Sequence, residues 1–182
     1  MVILKYHLTE EEYFEFNYYT SWASPQRRGY RTRYYLRILF WYSLIMSLYL
    51  FGNRNYNTNL GAIIFGVVAI TYFLLIPTLI KKEIRQRVRG TLAMPENEHV
   101  LEEAEVTIMD TGIVDKDPAT ETKYSWEAIV WKTETPTSYY LYTNSHHAIV
   151  IPKRVMTNDQ DRQELKRLFD QHLPLSSEFA DK

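Results

Sequence analysis

The sequence contains no cysteine, which excludes disulfides and thiolate metal sites and permits a reducing compartment without requiring one. Glycine is scarce, at six residues. None of these glycines builds a phosphate-binding loop, and neither an HExxH helix nor a GxSxG elbow occurs, so an enzyme is not expected. Acidic charge is nearly missing from 27–95, where Glu83 alone stands against eleven Lys and Arg, a balance of +10. The segment 96–182 reverses this, with nine Lys and Arg against seventeen Asp and Glu, a balance of −8, although the whole chain carries only −1. An acidic C-terminal half repels phosphates and disfavours a nucleic-acid partner. Residues 1–15 lack a basic start, a continuous apolar stretch and a small-residue cleavage site, so no cleaved signal peptide is expected.

What is present is a pair of apolar runs, 34–51 and 60–80. The second has 21 residues without a charge, and at about 1.5 Å per helical residue it reaches roughly 30 Å, the hydrocarbon thickness of a bilayer. The first contains Arg37 within a turn of its start, where a long side chain can snorkel to the headgroups. Arg27, Arg28, Arg31, Arg33 and Arg37 precede or open the first run, and Lys81, Lys82, Arg85, Arg87 and Arg89 follow the second. The connecting segment 52–59 has only Arg54. This asymmetry predicts a transmembrane hairpin in the cell membrane, multi-pass, with both termini cytoplasmic. Ala62, Gly66 and Ala69 form a small-residue strip on the second helix, for packing inside the hairpin or for a homodimer. Pro77 is a candidate kink. Lys81, Arg85 and Arg89 would extend one basic stripe and read as topology determinants, with specific lipid recognition as the alternative.

Alternation over 2–8 predicts a strand with one apolar face. Thr9 with Glu12 is a capping-box pattern, flanked by Leu8 and Tyr13 as a staple, and predicts a helix over about 10–22 with Tyr13 and Phe16 on its apolar face. A one-faced strand needs a partner sheet. The candidate on the same side of the membrane is the C-terminal one, so residues 2–8 are expected to pair with its edge, making both chain ends one domain. After the break at Met94 and Pro95, strands are predicted over 100–109, 113–115, 122–131, 139–143 and 148–151. An amphipathic helix follows, capped by Asn158 with Asp161, carrying Leu165, Leu168, Phe169 and Leu173 on one face and ending at Pro174. These elements suggest a curved antiparallel sheet plugged by the helix.

Asp110-Thr111-Gly112 also marks aspartic proteases, but no second copy exists and Ile113 stands where a small residue is normal, so a hairpin turn is expected. His146 and His147 are adjacent in a loop and diverge on extended backbone, and His7, His99 and His172 fit no ligand spacing, so no metal site or other cofactor is expected. Trp126 and Trp131, on one predicted strand, should face opposite ways, one in the core and one a candidate partner surface.

Asp110-Thr111-Gly112-Ile113, Tyr124-Ser125-Trp126-Glu127-Ala128-Ile129, Thr133-Glu134-Thr135, Tyr139-Tyr140-Leu141-Tyr142 and Ile151-Pro152-Lys153-Arg154 carry a resemblance to the YcxB-like membrane proteins of bacteria. The resemblance implies a bacterial inner-membrane location and a C-terminal domain similar to a pleckstrin-homology (PH) fold. It brings no catalytic activity, cofactor or ligand. The expected class is therefore an α+β membrane protein, with an N-terminal strand and helix in 1–33, a hairpin in 34–80, a basic linker in 81–95, a PH-like β-domain with its C-terminal helix in 96–175, and a tail in 176–182. The expected function is a non-enzymatic, membrane-anchored binding or regulatory protein presenting that domain to a protein partner, as a regulator, assembly factor or immunity protein. An enzyme or transport accessory at the inner membrane surface is the alternative.

Overall fold

The structure, a computed structural model, describes residues 1–52 and 58–173. The hairpin connection at 53–57, with Arg54, and the end of the chain from Pro174, with the tail 176–182, lie outside the described residues.

Strand β1 (Val2–His7) buries Val2, Leu4 and Tyr6 and turns Ile3, Lys5 and His7 outward, as the alternation predicts. It pairs antiparallel with β2 (Glu103–Met109), matching Val2 to Ile108, Leu4 to Val106 and Tyr6 to Ala104. On the outer face Lys5 meets Glu105 at 2.8 Å. Strands β3 (Gly112–Lys116) and β4 (Glu121–Tyr124) complete a four-stranded sheet in the order β1-β2-β3-β4. A second sheet holds β5 (Trp131–Glu134), β6 (Ser138–Tyr142) and β7 (Ala148–Pro152) in sequence order. The expected single strand over 122–131 is therefore two strands in two sheets. A 3-10 turn at Trp126–Ala128 carries the chain across the corner, because the Trp126 indole N–H turns inward to donate to the carbonyls of Met109 and Asp110, both at 3.1 Å. The strand expected from residue 100 also starts later, after a 3-10 segment at Pro95–Leu101.

The β2–β3 turn explains the Asp-Thr-Gly triplet. Gly112 has φ of 147°, and a Cβ there would stand 2.3 Å from the Tyr124 carbonyl, so glycine is required by both conformation and space. Asp110 is exposed and paired with Arg167 at 3.1 Å.

Among the described residues four α-helices accompany the sheets. Helix α4 (Asp159–His172), capped by Asn158 accepting from the Gln160 N–H at 2.9 Å, lays Leu165, Leu168 and Phe169 on a core shared by both sheets with Ile108, Leu141 and Ile151. Helix α1 (Glu10–Tyr18) starts in the predicted capping box: the Glu12 N–H donates to Thr9 Oγ1 at 3.1 Å and the Thr9 N–H to the Glu12 carboxylate at 2.9 Å. It ends earlier than expected, passing into a wide π-type turn at Tyr19–Ala23. Helix α2 (Arg28–Gly52) begins six residues ahead of the apolar run, and α3 (Thr58–Leu92) runs past Pro77 unbroken to Leu92. The segment 81–95, expected as a linker, is thus mostly the end of a helix.

Helices α2 and α3 meet antiparallel through ring pairs, Tyr35 with Phe73 at 5.7 Å and Tyr42 with Phe65 at 5.8 Å. Elsewhere they turn Phe40, Trp41, Leu48, Ile63, Ile70 and Leu74 outward. Among the described residues one helix, Leu60–Leu92 of α3, is long and apolar enough to cross a membrane, and only 11% of its apolar window is buried, whereas a core helix would bury most of it.

The pairing of β1 with β2 has a direct check in a chain with no native cysteine. Ile3 and Thr107 are register partners, so a chain carrying Ile3→Cys and Thr107→Cys should form an internal disulfide on mild oxidation. Ile3→Cys with Lys123→Cys, three strands apart at about 4.8 Å per strand, should not.

Candidate functional site

Helix α1 sets the geometry of the region where the β-domain meets α3. Residues 14 and 16 are about 200° apart around a helix, so Phe14 and Phe16 point in opposite directions. Phe16 packs on the second sheet, 5.4 Å from the Tyr140 ring and 6.2 Å from Tyr142. Phe14 is buried with Trp22, Ile76, Ile84 and Val88, most of them from α3. Both members of the expected contact pair reach the sheet cluster, Phe16 buried and Tyr13 partly buried, and Phe14 is the residue that sequence reasoning missed.

The basic stripe is a second docking element. Arg85 grips Glu11 bidentately at 2.6 and 2.8 Å and lies 4.1 Å over the Phe14 ring, Arg89 pairs with Glu10 at 2.7 Å, and Lys81 lies 5.2 Å over Tyr18. Hydrogen bonding from Arg85 holds the Glu11 carboxyl below the usual range. These are exposed pairs of modest individual worth, and they orient α1 rather than dominate its stability. The sequence signal was available: three acidic residues open α1, where the helix dipole favours them, and three cations recur every four residues on α3. Arg154 fastens the other side of α1, donating to both Glu12 oxygens at 2.7 and 3.0 Å and to the His7 carbonyl at 2.6 Å. Burial opposes ionisation of Glu12, but Arg154 and Thr9 outweigh it and hold its carboxyl below the usual range.

The remaining collar residues divide by role. Arg27 donates to the Thr20 carbonyl at 3.0 Å, and Arg31 donates to the carbonyls of Trp22 and, at 2.9 Å, Ser24, so both staple the turn that leads into α2. Arg28, Arg33, Arg37 and Lys82 are exposed, and Arg87 pairs with Glu83 within its own helix at 3.1 Å.

Between α1, the end of α3 and the β5–β6 hairpin lies a cleft of about 680 Å³. Phe14, Tyr18, Tyr19 and Tyr140 line it, together with the cations Lys81 and Arg85 and the carboxylates Glu11, Glu15 and Glu134. Thr137 donates to Glu15 at 2.8 Å, and Lys153 pairs with Glu134 at 2.6 Å. A smaller cleft of about 220 Å³ follows the seam between the two sheets, where Tyr6 donates to the Val150 carbonyl at 2.5 Å. Asp115 shares that seam with Glu102, Asp117, His99 and His147. Burial, and then the neighbouring Asp117, push the Asp115 carboxyl above its usual range.

The two tryptophans divide as expected, one in the core and one partly open to solvent. Trp126 is buried and stacks on His172 at 4.8 Å, because α4 covers it. Trp131 is half-buried and stacks on Tyr142 at 4.5 Å. The Ala62, Gly66, Ala69 strip does not receive α2 closely: a Cβ at Gly66 would meet nothing within 4 Å. The backbone N–H groups of His146 and His147 both donate to the Asn144 side chain in a tight turn, and no metal-binding cluster occurs among the described residues.

Residues 108–169, from the end of β2 to Phe169 of α4, match the family model for YcxB-like protein. No curated protein and no solved structure matches the chain.

Two outcomes follow from this geometry. Phe14→Ala should cost about 3–5 kcal/mol locally, read as faster amide hydrogen exchange along α1 while the β-sheet amides keep their protection. For Asp115 the folded-state pKa lies above the ordinary value of 3.8, so ionisation opposes folding. That cost is absent below the ordinary value and complete once pH exceeds the folded-state one. Asp115→Asn should raise the melting temperature at neutral pH, with the gain vanishing as pH falls below the carboxylate range.

Proposed function

We propose that this chain is a non-enzymatic membrane-anchored binding protein, in which α2 and α3 cross the bilayer as a hairpin and a PH-like domain at the cytoplasmic surface recruits or restrains a protein partner. Four strands, three strands and a closing C-terminal helix agree with the fold that the family resemblance implies. The observation that carries the reading is the change along α3. From Ile63 to Leu75 most of its apolar side chains are exposed, Ile76 is the first to be buried beside Phe14 and Trp22, and beyond Lys81 the same helix docks α1 through Ile84, Arg85 and Val88. A bilayer covers the first part, and the domain sits where the second begins.

Two helices with few internal charges make a poor transport path, and the domain's binding surfaces are clefts rather than a constellation of nucleophile and base. Recruitment by a tethered domain needs neither.

The topology is checked by cysteine labelling in intact cells. An impermeant maleimide should modify Asn57→Cys in the hairpin connection, and Lys123→Cys on β4 only after permeabilisation. Partner binding is checked with a photo-crosslinking residue at Val130, an exposed apolar position outside the helices. One discrete protein adduct is expected from native membranes, and its absence would contradict a protein partner.

A further inference from the structure

We propose that the 680 Å³ cleft is a headgroup site for a zwitterionic phospholipid bearing a primary ammonium. The inference rests on the membrane reading above and deepens it. Lys81 is the first residue beyond the uncharged 60–80 run, so the cleft opens at the depth where phosphates lie if α3 spans.

The charges inside the cleft select the ligand class. Arg85 is neutralised by Glu11 and Glu134 by Lys153. Lys81 and Glu15 are left facing one cleft, and among the described residues neither has an ion-pair partner. The Glu15 carboxylate accepts from the Thr137 hydroxyl. An anionic headgroup would satisfy Lys81 and confront Glu15, and a bare cation would do the reverse. A phosphate with an ammonium a few bonds away satisfies both, through charge-assisted hydrogen bonds.

The aromatic lining separates a primary ammonium from a quaternary one. A quaternary ammonium binds on open ring faces. The rings of Phe14 and Tyr18 already carry Arg85 and Lys81, and Tyr140 is closed in by Phe16 and Tyr19. What the cleft offers instead is a carboxylate acceptor, which a primary ammonium can use and a trimethylated one cannot. The acyl chains would run along Ile70 and Leu74, which lie on the Lys81 face of α3 and are exposed.

The test uses the full chain in nanodiscs of equimolar phosphatidylethanolamine and phosphatidylcholine, followed by mild-detergent release and native mass spectrometry of retained lipid. Wild type should retain phosphatidylethanolamine over phosphatidylcholine by about tenfold, the scale of one charge-assisted contact. Glu15→Gln keeps the acceptor for Thr137, and should abolish that preference while still retaining phospholipid. Lys81→Gln should lose retention of both lipids, and Lys82→Gln, which removes the neighbouring charge outside the cleft, should behave as wild type. Equal retention of the two lipids by wild type, or an undiminished preference in Glu15→Gln, would overturn the proposal. Alkaline carbonate extraction of native membranes separates the two levels: release of the protein would overturn the anchoring reading and this site with it, whereas retention without lipid preference would overturn the site alone.

Discussion

Helix α1 is nine residues long and carries two buried rings on opposite sides. That arrangement is the constraint on which the rest depends. An ordinary amphipathic helix commits one face to one core, but α1 serves two clusters at once, Phe16 against β6 and β7 and Phe14 against α3. Its polar positions are also committed, to Arg85, Arg89 and Arg154. A short helix held on three sides has little freedom to pivot, and it transmits the orientation of α3 to the β-domain.

The strand before α1 makes this coupling possible. Because β1 belongs to the first sheet, the two long helices are an insertion between neighbouring strands of one domain rather than an appendage at its end. Both the entry to α2 and the exit from α3 are therefore tied to the same sheets. Arg27 and Arg31 secure the entry turn, and the α1 contacts secure the exit. Two connections fix an orientation where one would leave a swivel. This places the open cleft consistently at the end of the apolar helix.

Much of this was legible in the sequence. Thr9 and Glu12 announced the α1 start, the alternation of Val2, Leu4 and Tyr6 announced a one-faced strand, and Leu165, Leu168 and Phe169 announced the plugging helix. The break inside 122–131 was not, because Trp126, Ile129, Val130 and Trp131 keep the composition of a strand, and only packing on α4 shows that Trp126 turns inward. The same packing makes Trp126 the core member of the pair and leaves Trp131 half-exposed. The stripe of Lys81, Arg85 and Arg89 was visible as a period, but its role depends on Glu10 and Glu11 lying opposite, a relation set by tertiary structure between residues more than seventy positions apart. Phe14 escaped because a helix with two apolar faces has no single apolar stripe to read.

A rigid connection between the β-domain and the long helix is the central claim, and it is measurable in the membrane. Spin labels on Lys123→Cys in β4 and Lys82→Cys in α3, both exposed and in a chain with no other cysteine, report the distance between the two bodies. Pulsed dipolar spectroscopy in nanodiscs should give one narrow distance distribution. A broad distribution spanning many ångströms would mean that α1 does not hold the domain against α3, and would contradict the account.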